Sequence, residues 1–436
     1  MEKKEYLNIS KASDIKNPKE RRLYRFFEMI PAILSLGTLL GVFVFSWLVP
    51  SWVAIFIICF CFYYLFRILY FSVHQIAGYF RVKSNMKKEW LKELRRLPKW
   101  KPNEIGGKGS NAAWAGKEAK KLIDHLKIPY ENILFSAFDI DTKVFPGYFA
   151  CVTWHYLTEK NPMQASYQPV PVYNNNIWSA PAFSRVVSTS NTFWQMIQQE
   201  RAEKLTTYSS HTIPAKVFFE VEYPANVVSD DSRIFWKAYL YYDGDYRVVP
   251  VYYMVSMDAV MAKNFWQTAI NQYKQQKRWA WGCDEIPYII FGFLNNRKIS
   301  TSAKFSQIYT ILDGFWSWAT AALLLFLLGW LPILLGGQKF NFTVLSFNLP
   351  ILTSRIMTIS MIGMLVSAVL STMLLPPVPK EFKWYVRWYK KSTVFLQWIF
   401  LPVTLILFGA LPALDAQIRL MLGRYMGFWV TEKIRK

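Results

Sequence analysis

The sequence predicts a membrane protein in which an α/β domain is inserted between transmembrane α-helices. Three observations lead to this fold class. The 436-residue chain is 53% hydrophobic, and its apolar residues are concentrated in long runs. Its central part alternates strand-like and helix-like patterns, which is typical of an α/β sheet. Clusters of lysine and arginine lie beside the apolar runs, and the net charge is +22.

The apolar runs have the length of membrane spans. They are residues 28–49 and 51–73 and, roughly, 313–336, 355–376 and 394–414. Each has the roughly 20 residues that are needed to cross a bilayer core, and paired runs of this length are rare in soluble domains. The first two form a hairpin joined at Pro50. The last run is ambiguous, because Pro402, Gly409 and Pro412 would kink it and a basic tail follows it.

The basic clusters indicate which side of the membrane holds the domain. Residues 16–25, 82–101 and 380–391 are rich in lysine and arginine. The positive-inside rule places them in the cytoplasm, which predicts an integral protein of a bacterial inner or plasma membrane with a cytoplasmic domain. Anionic lipid accounts for this charge, so membrane lipids are expected partners and nucleic acid is not.

The chain divides into consecutive regions, and the central one carries the α/β pattern. The predicted regions are a 1–27 cytoplasmic segment, a 28–73 transmembrane hairpin, a 74–98 basic linker helix, a 99–285 domain, 286–312 interfacial helices, a 313–415 transmembrane region of about three spans, and a 416–436 basic tail. Within the domain the predicted strands are 131–138, 216–223 and 246–255, and the predicted helices are 111–127, 232–242 and 264–281.

Two carboxylates follow the first predicted strand. Asp139 and Asp141 are two residues apart, so in a strand they would point to the same side. Such carboxylates repel unless a cation lies between them, and Mg²⁺ or Mn²⁺ is the natural ion, usually shared with substrate phosphates. The alternative is an acidic loop without a ligand.

A glycine-rich segment precedes the predicted helix 111–127. Gly106, Gly107, Lys108 and Gly109 would let backbone amides and one ammonium approach an anion at a helix N-terminus. The spacing matches neither GxxxxGK[ST] nor GxGxxG, so an ordinary glycine turn is the alternative.

Two further motifs lie on predicted helices. Asp230 and Asp231 stand at a helix start, where they would act either as a cap or as a general base. Gln275, Arg278 and Trp279 share one helix face. Arginine suits phosphate oxyanions and tryptophan stacks on a sugar ring, whereas the alternative is a basic helix with a membrane-anchoring tryptophan.

The order of these motifs resembles the membrane-embedded family 2 glycosyltransferases, which include cellulose and hyaluronan synthases. The resemblance rests on GGKGSN (106–111), DID (139–141), SDD (229–231, where the family usually has TED) and QQKRW (275–279), followed by spans. It covers nearly the whole chain and implies a glycosyltransferase A-type, Rossmann-like domain. The implied reaction transfers a sugar from a UDP- or GDP-linked donor to a growing glycan or lipid-linked acceptor, with inversion.

The resemblance also implies residue roles. Gly106, Gly107, Lys108 and Gly109 would lie along the nucleotide diphosphate, and Asp139 and Asp141 would hold it through Mg²⁺ or Mn²⁺. Asp231 would be the base, with Asp230 as its acidic neighbour. Gln275, Arg278 and Trp279 would hold the acceptor end and the leaving diphosphate.

One part of the family pattern is absent. Only about 30 residues separate the second span from GGKGSN, and a single βαβ unit needs that many. The half that binds the nucleotide base is therefore expected to be missing, and the domain to be truncated with an exposed sheet edge. A gap in the sequence, a natural inactive relative, or a membrane partner subunit supplying the missing half would each explain this. The alternative function is a non-catalytic membrane assembly or regulatory protein built on a degenerate glycosyltransferase domain.

Overall fold

A computed structural model describes residues 5–90, 92, 109–224 and 227–427. The α-helices of these residues are α1 (Pro18–Leu48), α2 (Pro50–Met86), α3 (Gly109–His125), α4 (Tyr148–Thr158), α5 (Ala182–Gln199), α6 (Ala215–Val217), α7 (Asp230–Tyr241), α8 (Phe265–Ala280), α9 (Glu285–Asn295), α10 (Thr301–Phe326), α11 (Leu331–Leu335), α12 (Gly337–Asn341), α13 (Val344–Met373), α14 (Trp384–Leu396), α15 (Leu401–Leu405) and α16 (Leu411–Met421). Shorter 3₁₀ and π turns connect several of them.

One mixed sheet forms in the described residues. Its strands are β1 (Leu134–Ala137), β2 (Lys143–Val144), β3 (Ala165–Val172), β4 (His211–Pro214) and β5 (Arg247–Ser256), in the spatial order β1-β4-β3-β5-β2. The β3–β5 pair is parallel, and the other pairs are antiparallel.

The sheet is strongly curled, because β1 and β2 lie at its opposite edges and are joined by a short connection. Six residue steps from Ala137 to Lys143 would span about 20–22 Å only if the connection were fully extended. Four flat inter-strand spacings would need about 19 Å. A turn in the connection, in which the Thr142 amide donates to the Asp139 carbonyl (2.9 Å), shortens its reach further. The connection therefore crosses one end of a curled sheet.

Most of the predicted domain elements are present. The predicted strand at 131–138 contains β1, the one at 246–255 matches β5 to within one residue at each end, and the three predicted helices correspond to α3, α7 and α8. The strand β1 is an edge strand of the sheet in the described residues.

The predicted strand over 216–223 is wrong. The segment is helical, with α6 followed by a π turn (Phe218–Glu222). Phe218 stacks on Phe135 of β1 at 4.6 Å between ring centroids, and Phe219 contacts the same ring at 5.5 Å. Adjacent strand residues point to opposite faces, so a helical turn is what allows both rings to reach Phe135.

Helices in the described part are long and apolar enough to cross a membrane at five places. These are Pro18–Leu48, Pro50–Met86, Thr301–Phe326, Val344–Met373 and Trp384–Met421, the last being broken into α14, α15, α16 and intervening turns. Each apolar run of the sequence overlaps one of them. The protein is therefore a helix-rich membrane protein that carries a small curled sheet.

The first four of these helices form two hairpins whose tips lie together. The first tip is the Val49 junction between α1 and α2, and the second is the region of α11 and α12 between α10 and α13. Gly336 is so close to Pro50 that an added Cβ would stand 2.9 Å from the proline Cβ. The opposite ends of the hairpins adjoin the sheet domain, and we call that end the domain side.

The segment Trp384–Met421 stays at the domain side. Near its start, Lys390 Nζ donates to the Trp178 carbonyl (2.8 Å). In its middle, Phe408 stacks on Phe183 of α5 at 5.2 Å. At its end, Arg25 near the start of α1 donates to the Met421 carbonyl (2.7 Å). Contacts along its whole length thus keep the segment beside the domain.

Residues 286–312 form α9 and the first part of α10. Most of α9 is buried, and Tyr288 donates through its hydroxyl to the Leu7 carbonyl (3.1 Å). The apolar residues of α9 therefore pack inside the protein, between α1, α7 and the N-terminal turn at Glu5–Asn8.

Candidate functional site

A cavity of about 2520 Å³ begins at the end of the curled sheet and continues between the membrane helices. Three of the four sequence motifs reach its wall, although they are separated by up to 140 residues of chain. The motif residues that line it are Asp139, Asp141, Asp230, Asp231, Gln275, Arg278 and Trp279.

The two aspartates of DID lie in the turn after β1. The strand ends at Ala137, and Ile140 between the aspartates is fully exposed. The strand alternation expected for this pair is therefore wrong. The turn instead gives each carboxylate its own donor: Ser209 Oγ donates to Asp139 (2.5 Å), and the Asp258 amide donates to Asp141 (3.0 Å).

Ser209 is held in an unusual backbone conformation at this point. Its φ of 44° lies in the left-handed region, which a residue with a Cβ rarely adopts. Backbone strain of this kind persists where the surrounding structure enforces it, and it clusters at functional sites. Here it directs the serine hydroxyl at Asp139.

The acidic pair Asp230–Asp231 forms the first turn of α7, as its sequence position predicted. The helix N-terminus favours both negative charges. Thr207 Oγ1 donates to the Asp231 carbonyl (2.6 Å), and the buried His211 ring places Nδ1 3.9 Å from Asp231 Oδ1. The position of Asp231 is thus fixed from β4 as well as from its own helix.

The helix α8 presents two different faces. Lys277 pairs with Asp415 of α16 (3.0 Å), which anchors one face against the end of the chain. Gln275, Arg278 and Trp279 line the cavity on the other face, as the predicted helical spacing requires. Trp279 contacts the ring of Tyr173 at 5.7 Å between centroids.

Two buried tyrosines lie among the motifs. Burial raises the pKa of Tyr173, the charges of Asp139, Asp141 and Asp231 raise it further, and Arg278 opposes them. Burial likewise raises the pKa of Tyr223, followed by the charges of the aspartates at 231, 230 and 139. Charges from all three motifs thus shift the pKa of Tyr173, which means that the motifs converge on one site. Sequence reasoning missed both tyrosines, since neither belongs to a motif.

Asp258 is a further cavity residue without a sequence signal. It follows β5 directly, its side chain is buried, and its amide holds Asp141. Its position after a strand in the same sheet as β1 is the one feature that could have suggested it.

A buried ion cluster supports the start of α7. Arg233 pairs with Glu285 (2.7 Å) and lies 3.6 Å from Asp284, and all three side chains are largely buried. Ser229, immediately before α7, donates to Asp284 (2.8 Å). Burial raises the pKa of Glu285 to about 7; the Arg233 guanidinium opposes this shift, and the neighbouring Asp284 carboxylate adds to it. The cluster joins the SDD motif to the segment that follows QQKRW.

The glycine-rich segment is only partly placed. Gly106, Gly107 and Lys108 lie outside the described residues, so their contact with a diphosphate stays a prediction. Gly109 begins α3, two residues before the predicted helix start.

The donor set of the DID turn suits a hard divalent cation. No group of three or more His, Cys, Asp or Glu side chains is placed to hold a metal ion among the residues that the structure describes. Asp139 and Asp141 would therefore supply two carboxylates, and substrate phosphates and water would complete the coordination, as Mg²⁺ commonly requires.

Comparison with protein families and with curated proteins gave no match. No protein-family model matches the chain, and no curated protein matches it.

Proposed function

We propose that this protein is a membrane glycosyltransferase of the family 2 type, with an A-type catalytic domain. It would transfer a sugar from a UDP- or GDP-linked donor to a growing glycan or lipid-linked acceptor, with inversion at the anomeric carbon. The observation that carries the proposal is that DID, SDD and QQKRW line one cavity that continues between the membrane helices.

The proposed mechanism is a direct displacement. Asp231 accepts the proton of the acceptor hydroxyl, whose oxygen attacks the anomeric carbon while the bond from that carbon to the diphosphate oxygen breaks. Asp230 is its acidic neighbour at the helix start. A divalent cation held by Asp139 and Asp141 would offset negative charge on the leaving diphosphate.

The residues of α8 would position the two substrates. Arg278 would pair with diphosphate oxygens, which a guanidinium binds in a fixed geometry. Gln275 would donate hydrogen bonds beside it, and Trp279 would stack on the terminal sugar of the acceptor. The contact between Trp279 and Tyr173 supports this arrangement, because it fixes the indole plane at the cavity wall.

The membrane part of the cavity would hold the glycan. Its wall there combines aromatic rings with hydroxyl groups, among them Tyr64, Trp318, Thr353, Ser354 and Thr358. This combination suits sugar rings, which stack through their apolar faces and hydrogen-bond through their edges. The basic clusters of the sequence support a domain on the cytoplasmic side of the membrane.

A non-catalytic assembly or regulatory protein is the second candidate. The position of β1 at the sheet edge favours it, since no described strand covers the side where further nucleotide-binding strands would add. A partner subunit that pairs with β1 would instead restore the domain, because an open strand edge accepts an added strand.

Sugar transfer from radiolabelled donors tests the proposal. Membranes containing the full chain, with Mg²⁺ or Mn²⁺ and UDP- or GDP-sugars, should form labelled glycan or lipid-linked product. The Asp231→Asn variant should lose transfer while retaining its thermal stability. If no donor supports transfer, even after a complete catalytic domain is restored, the proposal that the protein is an enzyme is wrong. If Asp231→Asn retains full activity, Asp231 is not the base.

A further inference from the structure

The membrane part of the cavity contains a cluster of cations at the domain side. We call Arg67 of α2, Arg201 and Lys204 the basic cluster; all three line the cavity. Arg67 is 17 residues from the start of α2, or about 26 Å along the helix, which places it near the domain-side limit of a 30 Å hydrocarbon core.

The three cations are close to one another. Arg201 lies over the ring of Tyr70, 5.7 Å from its centroid, and Tyr70 is one helical turn from Arg67. Burial lowers the pKa of Lys204; Arg201 and, to a smaller extent, Arg67 lower it further, and the charges of Glu203 and Asp313 oppose this shift. These cations come from α2 and from the segment after α5, so the fold assembles the cluster from distant parts of the chain.

The positive charge of the cluster is only partly neutralised by the protein. Arg67 pairs with Asp313 (2.9 Å), which also lines the cavity. The carboxylate nearest Arg201 belongs to Glu203, which is mostly exposed and 3.9 Å from Nε. In the described part of the chain, this buried Nε has no hydrogen-bond partner. Charged donors at a membrane boundary are costly without a partner, so such a cluster is expected to bind anions.

We infer that the basic cluster binds acid groups of the glycan, so that the acceptor is an acidic polysaccharide with carboxylates on its sugars. This inference rests on the proposed function and specifies its acceptor. The rings of Tyr64 and Phe71 lie 5.9 and 5.2 Å from the Arg67 guanidinium, which gives the cluster apolar faces for sugar rings as well as charge. Beyond the cluster, the lining combines hydroxyl groups and aromatic rings with aliphatic side chains such as Leu325 and Met361.

Binding of oligosaccharides to the full chain in nanodiscs of zwitterionic lipid tests the inference. The probes are an oligouronate and a neutral oligosaccharide of equal length. We expect the oligouronate to bind at least tenfold more tightly, and Arg201→Gln with Lys204→Gln to weaken it roughly tenfold for each cation removed. Arg201→Lys with Lys204→Arg should retain tight binding, which separates charge from packing. Arg67 is left intact because it holds Asp313.

Exposed lysines provide the matched control. Lys160→Gln with Lys216→Gln removes the same charge from the surface and should leave both affinities unchanged. Equal binding of acidic and neutral probes, or unchanged binding in the Arg201/Lys204 variant, overturns the inference. The inference is also overturned if anionic lipid copurifies with the wild type but not with that variant and displaces the oligouronate. The basic cluster would then bind a lipid headgroup. If the protein binds the oligouronate but transfers no sugar, the proposed function is wrong and this inference stands. If it transfers sugar but only to neutral acceptors, this inference is wrong and the proposed function stands.

Discussion

Removing the Arg233 side chain should destabilise the protein more than any surface change. The guanidinium is almost fully buried and is held by Glu285 and by the carbonyl of Ile9 (3.2 Å). It also lies 4.0 Å from the centroid of the Tyr288 ring. The Arg233→Met change keeps an apolar chain of similar length and leaves two buried carboxylates without their cation.

The expected cost follows from these contacts. Breaking a buried ion pair by removing one partner costs about 3–5 kcal/mol. The guanidinium–ring contact adds up to about 2 kcal/mol when desolvated. We therefore expect a loss of roughly 4–5 kcal/mol in the free energy of unfolding, since these two effects overlap. Adding Glu285→Gln to Arg233→Met should recover a large part of the lost free energy of unfolding, because one of the two uncompensated charges is then removed.

Unfolding in mixed micelles with increasing SDS, followed by tryptophan fluorescence, measures this cost. The control is Lys298→Met, which breaks an ion pair of the same length, 2.7 Å, at an exposed position. It should leave the unfolding midpoint unchanged. If Arg233→Met is as stable as this control, or if adding Glu285→Gln to Arg233→Met lowers the stability further, the buried cluster does not hold the start of α7 as described.

Three further predictions follow from other contacts. Burial raises the pKa of Glu285 to about 7, so the folded protein binds a proton that the unfolded chain has already lost. The free energy of unfolding of the wild type should therefore fall as the pH rises from about 5 through 7. Unfolding measured across this pH range should show a flatter profile for Glu285→Gln. Gly292→Ala would place a Cβ 2.5 Å from Leu240 Cδ1, so unfolding should show a loss of about 1–3 kcal/mol, whereas Gly314→Ala, with no atom within 4 Å, should be tolerated. Trp279→Ala should weaken binding of an acceptor oligosaccharide about tenfold in fluorescence titrations while Trp279→Phe retains most of it; equal affinities would exclude stacking at this position.

The helices were predictable because their patterns are long and local. Each apolar run overlaps a helical segment long enough to cross a membrane, and the helical face of Gln275, Arg278 and Trp279 reached the cavity as its spacing required. Such patterns depend on the 3.6-residue repeat, which many successive residues report together.

The sheet was harder to predict because its strands violate local preferences. The fully buried strand β3 contains Pro169 and Pro171, which normally argue against a central strand. A register shift between Gln168 and Val170 accommodates them, and Gln199 Nε2 donates to the Gln168 carbonyl (3.1 Å) from α5. This compensation comes from a distant helix, so no sequence window contains it.

The site was predictable in its motifs but not in its supporting residues. The sequence predicted that Asp139 and Asp231 belong to one function, yet their donors and neighbours come from turns and strand ends. Ser209, Tyr173 and Asp258 reach the site through the curl of the sheet. Their roles depend on tertiary contacts, which single residues of these common types do not reveal.

Metal-dependent binding of a nucleoside diphosphate is the most direct test of the central claim. Calorimetry on the full chain in nanodiscs would compare UDP and GDP with and without Mn²⁺. The account predicts binding that weakens at least tenfold without Mn²⁺ or in Asp139→Asn, and that persists in Asp245→Asn, which removes an exposed carboxylate elsewhere. Absence of binding, or binding unchanged by Mn²⁺ and by Asp139→Asn, would contradict a diphosphate site at the DID turn.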